Sequence, residues 1–587
     1  MKDKKLIVLL LAVAMAVVPG IAMAREVRNP DTMICASIGG GPESLDPAWS
    51  YDTSSAEVIF NIYDTLIFFK GEHADKFMPL IATEVPTLEN GLISEDGLTY
   101  IFPIRKGVKF HNGDELTPED VEYTFERMMV QDRSGGPLWM FYEPLLGIQG
   151  SRDNEGNITV DFADIDNAIE VQGDNVVFHL EIPYPPFLGI IANAWAGIVS
   201  KRSVIEYGGW PGTAETWKEY NDPDTGREVL HARECGSGPY ELVRWEAGKE
   251  VVMERFDDYW RGPARTKTAV IKYIDEWSTR KLMLLAGDVD IARVYAPNYP
   301  EMEGASGIEC VKDLPTLTLG ALFFNFDINP DGNPDIGSGK LDGKGIPPDF
   351  FSDIDVRKGF AYAFDYDTFI EDAFMGEALK PISPIVDGLP YRNPEQEAYL
   401  YDRDKAIEHF KNAWDGAVWE NGFKFTLMYN TGNVYREIGA MVMKDCIESL
   451  NPKFDIEIRP VDWPVYLREL VQHRLTLYIV GWLADYPDPH NFVHPFMHSR
   501  GTWGEFQSYD NPRVDELIDK GVRTVDPAER EEIYYELQRI YYEDVPSICV
   551  YQEIMRHYRR DWVKGWYYNP IFPSGVTTAY FYDVWKE

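Results

Sequence analysis

The chain runs to 587 residues, with 45% of them hydrophobic and a formal charge of −40 at pH 7. An acidic excess of that size repels phosphate backbones and anionic bilayers, which excludes nucleic acid and membrane surfaces as partners of the whole chain. The length exceeds what one hydrophobic core usually holds and predicts at least two lobes.

At the N-terminus, Lys2, Lys4 and Lys5 precede an unbroken apolar run over residues 6–18, which Pro19 and Gly20 end before Ala22-Met23-Ala24. Those 13 apolar residues fall short of the ~20 that span a bilayer. The segment reads as a secretory signal, residues 1–24, cleaved near Ala24 so that the mature chain starts near Arg25 in the periplasm. The first cysteine is Cys35, so no lipid-modified N-terminus is expected, and later apolar runs have the length of buried strands. Cys35, Cys235, Cys310, Cys446 and Cys549 lie far apart with no C-x-x-C pair, which removes the usual zinc and thioredoxin spacings. An oxidising compartment would permit a disulfide among them, and an odd count leaves at least one thiol over.

Further along, Thr117-Pro118-Glu119-Asp120 supplies an N-cap, a first-turn proline and acids at the positive end of a helix that places Val121, Phe125 and Met128 on one face. Asp327, Asn329, Asp331 and Gly332 match the first half of a calcium loop and Asp335 its ninth position, but Ser338 stands where a bidentate glutamate belongs, so a surface turn is expected. Gly337-Ser338-Gly339-Lys340 is not a phosphate loop, because Pro334 replaces its first glycine and Leu341 its hydroxyl residue. Residues 424–480 then read as strand 424–429, helix 434–449, strand 454–459, helix 463–473 and strand 476–480. That is a β-α-β-α-β unit of a parallel sheet.

Such sheets bind ligands beyond the carboxyl ends of their strands, which nominates Tyr429-Asn430, Asp462-Trp463 and Gly481-Trp482. The last of these leads into Leu483-Ala484-Asp485-Tyr486-Pro487-Asp488-Pro489, where aromatic rings flank a carboxylate suited to a ligand cation. A solvated turn in which Asp485 or Asp488 caps its own backbone is the alternative. His490, His494 and His498 recur every fourth residue, but Pro495 interrupts the row and no carboxylate is spaced to complete a metal set. They are expected to be polar positions near a domain surface. Asp526-Pro527-Ala528-Glu529 opens another capped helix. No nucleophile elbow or metalloprotease helix is present, so neither a catalytic set nor a cofactor or metal is expected.

Ser44-Leu45-Asp46-Pro47, Ile62-Tyr63-Asp64-Thr65-Leu66, Ser94-Glu95-Asp96-Gly97-Leu98-Thr99-Tyr100 and the stretch from Arg105 to Val121 follow one another through the first half. Gly236-Ser237-Gly238-Pro239-Tyr240, Asp258-Tyr259-Trp260, Gly287-Asp288-Val289-Asp290, Asp355-Val356-Arg357-Lys358 and the Gly481 to Pro489 loop complete the series. This ordered set resembles the peptide- and nickel-binding family of ABC-transporter solute-binding proteins.

The resemblance implies two α/β lobes joined by two strands, with an extra subdomain in the first lobe. The first lobe would comprise residues 25–62, the subdomain 63–189, then 190–318 and 551–587; the second would be 319–550. The crossings would fall near residues 317–325 and 546–551. Such proteins close by hinge bending around a solute, a small peptide by this reading, and present the closed form to inner-membrane permease subunits. They act as monomers without catalysis. By the same resemblance, Asp485 takes the ligand ammonium with Trp482 and Tyr486 beside it. Arg436 meets the ligand carboxylate from a helix start, and Tyr429, Trp463 and Tyr51 complete the expected contacts. Insertions at 327–350 and 133–175 depart from the family pattern. Family members similar to this chain also bind nickel complexes, haem, opines and oligosaccharides.

Overall fold

A computed structural model describes residues 27–153, 155–571 and 580–587, so the expected signal segment lies outside the described residues. Among those residues, no helix is long and apolar enough to cross a membrane. The architecture is mixed α/β around one continuous 11-stranded sheet.

In one half of this sheet, strand Thr32–Ser37 pairs in parallel with Thr268–Tyr273 and with Ile291–Ala292. The hairpin strands Tyr240–Glu246 and Glu250–Arg255 extend it outward. In the other half, Phe423–Asn430 runs parallel to Phe454–Val461 and to the start of Leu477–Leu483. Helices Val434–Leu450 and Trp463–Val471 connect these strands, as the alternating pattern predicts. The third strand extends further than expected and takes Gly481 and Trp482 into the sheet itself.

Two long strands, Ile308–Phe324 and Ser547–Arg560, pair antiparallel and carry the sheet from one half to the other. Cys310 pairs with Tyr558 near Ile291–Ala292, whereas Leu319 to Phe323 pair with Gln552 to Ser547 beside Leu477–Leu483. The register between them breaks at Val311/Leu314, Pro315/Leu319 and Gly320/Ala321. Such irregularities bend a strand locally and interrupt its ladder.

A separate antiparallel sheet of Thr99–Pro103, Asn175–His179 and Ile169–Gln172 packs with helix Pro118–Gln131 in the subdomain region. That helix begins as its sequence predicts, with the Thr117 N–H donating to Asp120 at 3.0 Å. From its buried face Arg127 forks onto Asp46, donating at 3.0 Å to one carboxylate oxygen and bonding the second as well. This pins the Ser44-to-Pro47 segment beneath the subdomain. At Gly236 and Gly238 an added Cβ would lie 1.9 Å and 2.6 Å from the Ile62 backbone, so only glycine permits that approach.

The calcium-like loop is stapled by its own side chains. Asp335 pairs with Arg459, Asn329 and Asn333 bond backbone carbonyls of residues 472 and 474, and Ser338 bonds Asp342 at 2.7 Å. Among the described residues no group of three or more potential ligands converges on a metal position. All five cysteines are free thiols.

Candidate ligand-binding cleft

Strand Leu477–Leu483 places Trp482 opposite Leu319, and the Ala484 N–H still donates to Leu317 at 3.0 Å. The chain then leaves the sheet beside the register breaks, and Asp485 is the first acidic residue after it. Asn491, the second residue of helix His490–Met497, fixes the turn. Its side-chain oxygen accepts from the Trp482 indole at 3.1 Å and from the Asp485 N–H at 2.8 Å. Its amide donates to Asp485 Oδ2 at 3.0 Å.

Two further donors reach this carboxylate from the other half of the molecule. Tyr51 donates to Oδ2 at 2.8 Å and Trp195 to Oδ1 at 3.1 Å. Trp139 donates to the Tyr51 hydroxyl at 3.2 Å, and Asn193 to the Asp485 carbonyl at 2.5 Å. The Tyr51 ring stands edge-on to Trp195 and Trp482 at 5.5 and 5.9 Å. All three donors to the carboxylate are neutral, and among the described residues no cation pairs with it. Burial therefore pushes the Asp485 carboxyl up to about 6, against the lowering effect of its hydrogen bonds from Asn491, Trp195 and Tyr51.

Trp482 forms one wall of a cleft of about 280 Å³ whose lining includes Tyr295, Tyr435, Arg436, Tyr551 and Glu553. Arg436 stands in the first turn of helix Val434–Leu450, where Asn433 caps the Arg436 N–H at 3.1 Å. Its guanidinium donates to Asn430 at 2.6 Å and lies 5.5 Å from the Trp463 ring centre. Nε is buried with no partner, and no carboxylate is paired with Arg436 among the described residues. Gly481 leaves the space next to it open, since a Cβ there would lie 3.9 Å from Nη2. The cleft's Arg293 is matched by Glu553 at 2.9 Å. The cleft wall thus holds an unmatched cation at Arg436, and the turn that follows its Trp482 holds an unmatched carboxylate at Asp485, which is not itself part of the lining.

The structure brings Asp485, Trp482 and Tyr51 together at one position and Arg436 and Trp463 at another. Trp463 is 36% exposed and stacks on Tyr466 behind Arg436, so it supports the guanidinium from outside. Tyr429 and Tyr486 are placed elsewhere. Tyr429, 6% exposed, belongs to the core on the helix Val434–Leu450 side of the sheet. Tyr486 is fully buried, packed on Gly189 with its hydroxyl 3.4 Å from that of Tyr184. Asp485 and Tyr486 lie in the bend that follows the strand, where Asp485 faces the Tyr51 and Trp195 donors and Tyr486 turns into the packing on Gly189. Sequence reasoning missed Trp195, Asn193 and Asn491. A tryptophan 290 positions away leaves no local pattern, whereas Asn491 could have been sought as the cap-like amide of a turn.

The family described as "Bacterial extracellular solute-binding proteins, family 5 Middle" matches residues 76–504. The chain belongs to this family. The E. coli dipeptide-binding protein is 25% identical over 94% of each chain. Heme-binding protein A of Haemophilus influenzae is 24% identical, covering 93% of this chain and 92% of its own. Among solved structures, the periplasmic binding protein DppA of Helicobacter pylori, in complex with the peptide STSA, superposes with a TM-score of 0.73. It shares 23% identity and covers 95% of this chain and 98% of its own. The fold is the two-lobed one of periplasmic binding proteins, as the motif order implied. The family consists of solute-binding proteins rather than enzymes.

Proposed function

We propose that this chain captures a short peptide between its lobes and delivers it to the permease of an ABC importer. The observation that carries the reading is a pair of unmatched charges at the end of one strand, a buried carboxylate held by neutral donors in the turn after Trp482 and a guanidinium lacking an acid on the cleft wall beside Gly481. A peptide with free termini supplies a cation for the first and an anion for the second. Burying either group without that complement is costly, so the ligand stabilises what the fold leaves uncompensated. The cleft, about 280 Å³, lies just below the ~300–1,000 Å³ usual for ligand pockets, which favours two or three residues over a long peptide. Peptides named with the relatives support this class; a nickel chelate, opine or sugar without an ammonium group would leave Asp485 unmatched.

The lobe boundaries inferred from sequence, at 318/319 and 550/551, fall within the stretch where register fails, Val311 to Ala321 opposite His557 to Cys549. Hinge bending there would close the lobes over the ligand, and the closed form would be what the permease reads. The mature protein, freed of residues 1–24 and working outside the cytoplasm, would turn nothing over. Mass spectrometry of solute released from freshly purified protein tests the class directly. A di- or tripeptide with free termini is expected, and a stoichiometric non-peptide ligand would overturn the assignment.

A further inference from the structure

The histidine row of helix His490–Met497 is not part of the cleft, and it is not on the surface. His490, His494 and His498 are 0%, 1% and 5% exposed, which corrects their reading as polar surface positions. Pro495 lies within the helix without ending it, so the three rings do form one row, with centres 5.2 and 4.9 Å apart, the first pair tilted and the second stacked. They lie along a seam with the Trp139-to-Tyr184 region of the first lobe, on the helix that also carries Asn491.

The surroundings of the three rings differ in one respect. His490 Nε2 lies 2.9 Å from Glu143 Oε2, which also accepts from the Tyr184 hydroxyl at 2.8 Å. His498 faces Asp519 at 3.4 Å and Asp515 at 3.8 Å, and its Nδ1 accepts from the Arg500 N–H at 3.0 Å. His494, between them, has only the amide oxygen of Gln149 at 2.8 Å and the Trp139 ring stacked 4.5 Å away. Its other nitrogen, Nδ1, is buried with no partner. Among the described residues the further charge acting on it is positive, Arg500, and the neighbouring Asp488 is matched by Arg530 at 2.8 Å.

A second proton on the central ring would therefore have no acceptor and would sit about 5 Å from two imidazoles that do have acids. We propose that this row is an acid-operated clasp: with His494 neutral it seats the helix against the first lobe, and its protonation unseats the helix. Burial and the flanking basic groups depress the affinity of His494 for a proton well below the ordinary imidazole value. Once unseated, the ring regains its usual affinity, near pH 6.5. The seated form thus binds fewer protons, and its advantage is complete above pH ~6.5 and lost as the pH falls below it. One proton changes the unseating constant by up to about tenfold per pH unit. The helix carries Asn491, which orients Asp485, so unseating would also loosen the ligand anchor.

Hydrogen exchange of the ligand-free mature protein reads the seam without involving ligand chemistry. After correction for intrinsic rates, opening of segments 139–149 and 488–500 should rise about tenfold per pH unit between pH 6.5 and 5. His494→Gln, which cannot charge, should flatten that rise, and Gln149→Glu, which gives the seated central ring an acid and so raises its proton affinity, should flatten it too. Equal protection of the wild-type seam at pH 5 and 7 would overturn the proposal, as would an unchanged acid response in His494→Gln. If His494→Gln does not fold, the flatter acid response of Gln149→Glu decides the matter, and its absence would count as refutation.

Discussion

Asp46 and Asp485 are both aspartates almost without solvent contact, 0% and 7% exposed, and each follows a short motif readable in the sequence. Asp46 meets the Arg127 fork and the Ala48 N–H at 3.0 Å, so its charge is cancelled within the first lobe. Asp485 meets a tyrosine, an indole and an amide, which orient the carboxylate and leave its charge standing. Burial alone does not separate scaffold from site. The sign of what surrounds the charge does, because a fold gains nothing from an uncompensated carboxylate unless something else supplies the cation.

That contrast breaks most sharply at Arg127. Replacing it with Leu strands Asp46 as Asp485 is stranded, but without the neutral donor cage. Denaturant unfolding should show a loss of about 3–5 kcal/mol, recovered in part when Asp46 is also made apolar. Ligand affinity of the molecules that remain folded should not change. A loss of affinity at unaltered stability would mean that Asp46 is no mere scaffold.

Acid should sharpen the comparison. A ligand ammonium favours the ionised form of Asp485, so the complex holds fewer protons there than the free protein. Affinity should be full above about pH 6, where burial has placed this carboxyl, and should fall about tenfold per pH unit below it. Isothermal titration calorimetry between pH 5 and 8 reads the slope; a flat profile would mean that no cation meets Asp485.

The smallest effect is expected at the cleft's cation. Arg436→Gln should weaken a peptide with a free carboxyl terminus about tenfold, equivalent to 1.4 kcal/mol, and should leave its C-terminal amide unaffected. Equal weakening of both would place the carboxyl terminus elsewhere.

Much of the scaffold was legible because it is written in local chemistry. Thr117 and Asp120 open their helix as a capping pattern predicts, and the alternation from 424 to 480 yields the parallel unit observed. The mouth of its third strand pointed to Asp485 and Trp482 for a general reason, the position of crevices in such sheets. What escaped lies in long-range packing. The helical spacing of the three histidines was visible, but not that Glu143 and Gln149 would arrive from some 345 positions away to bury them. Tyr486 looked like a wall of the site because it adjoins Asp485, yet the bend after the strand turns its ring into the packing on Gly189. The first crossing strand begins at Ile308 rather than near 317, since the polar stretch Lys312-Asp313 hid its continuity.

The central claim is that Asp485 recognises a ligand ammonium, and one thermodynamic cycle tests it most directly. The peptide identified with the purified protein, and its N-acetyl form, are titrated into wild type and Asp485→Asn by calorimetry at pH 7.5. Removing one partner of a desolvated charged contact costs about 2–5 kcal/mol, so acetylation should weaken binding to wild type roughly 30-fold or more. The Asp485→Asn protein should bind the free peptide about that much more weakly and should lose little more on acetylation. If acetylation costs the same in both proteins, Asp485 is a turn residue and the ammonium binds elsewhere.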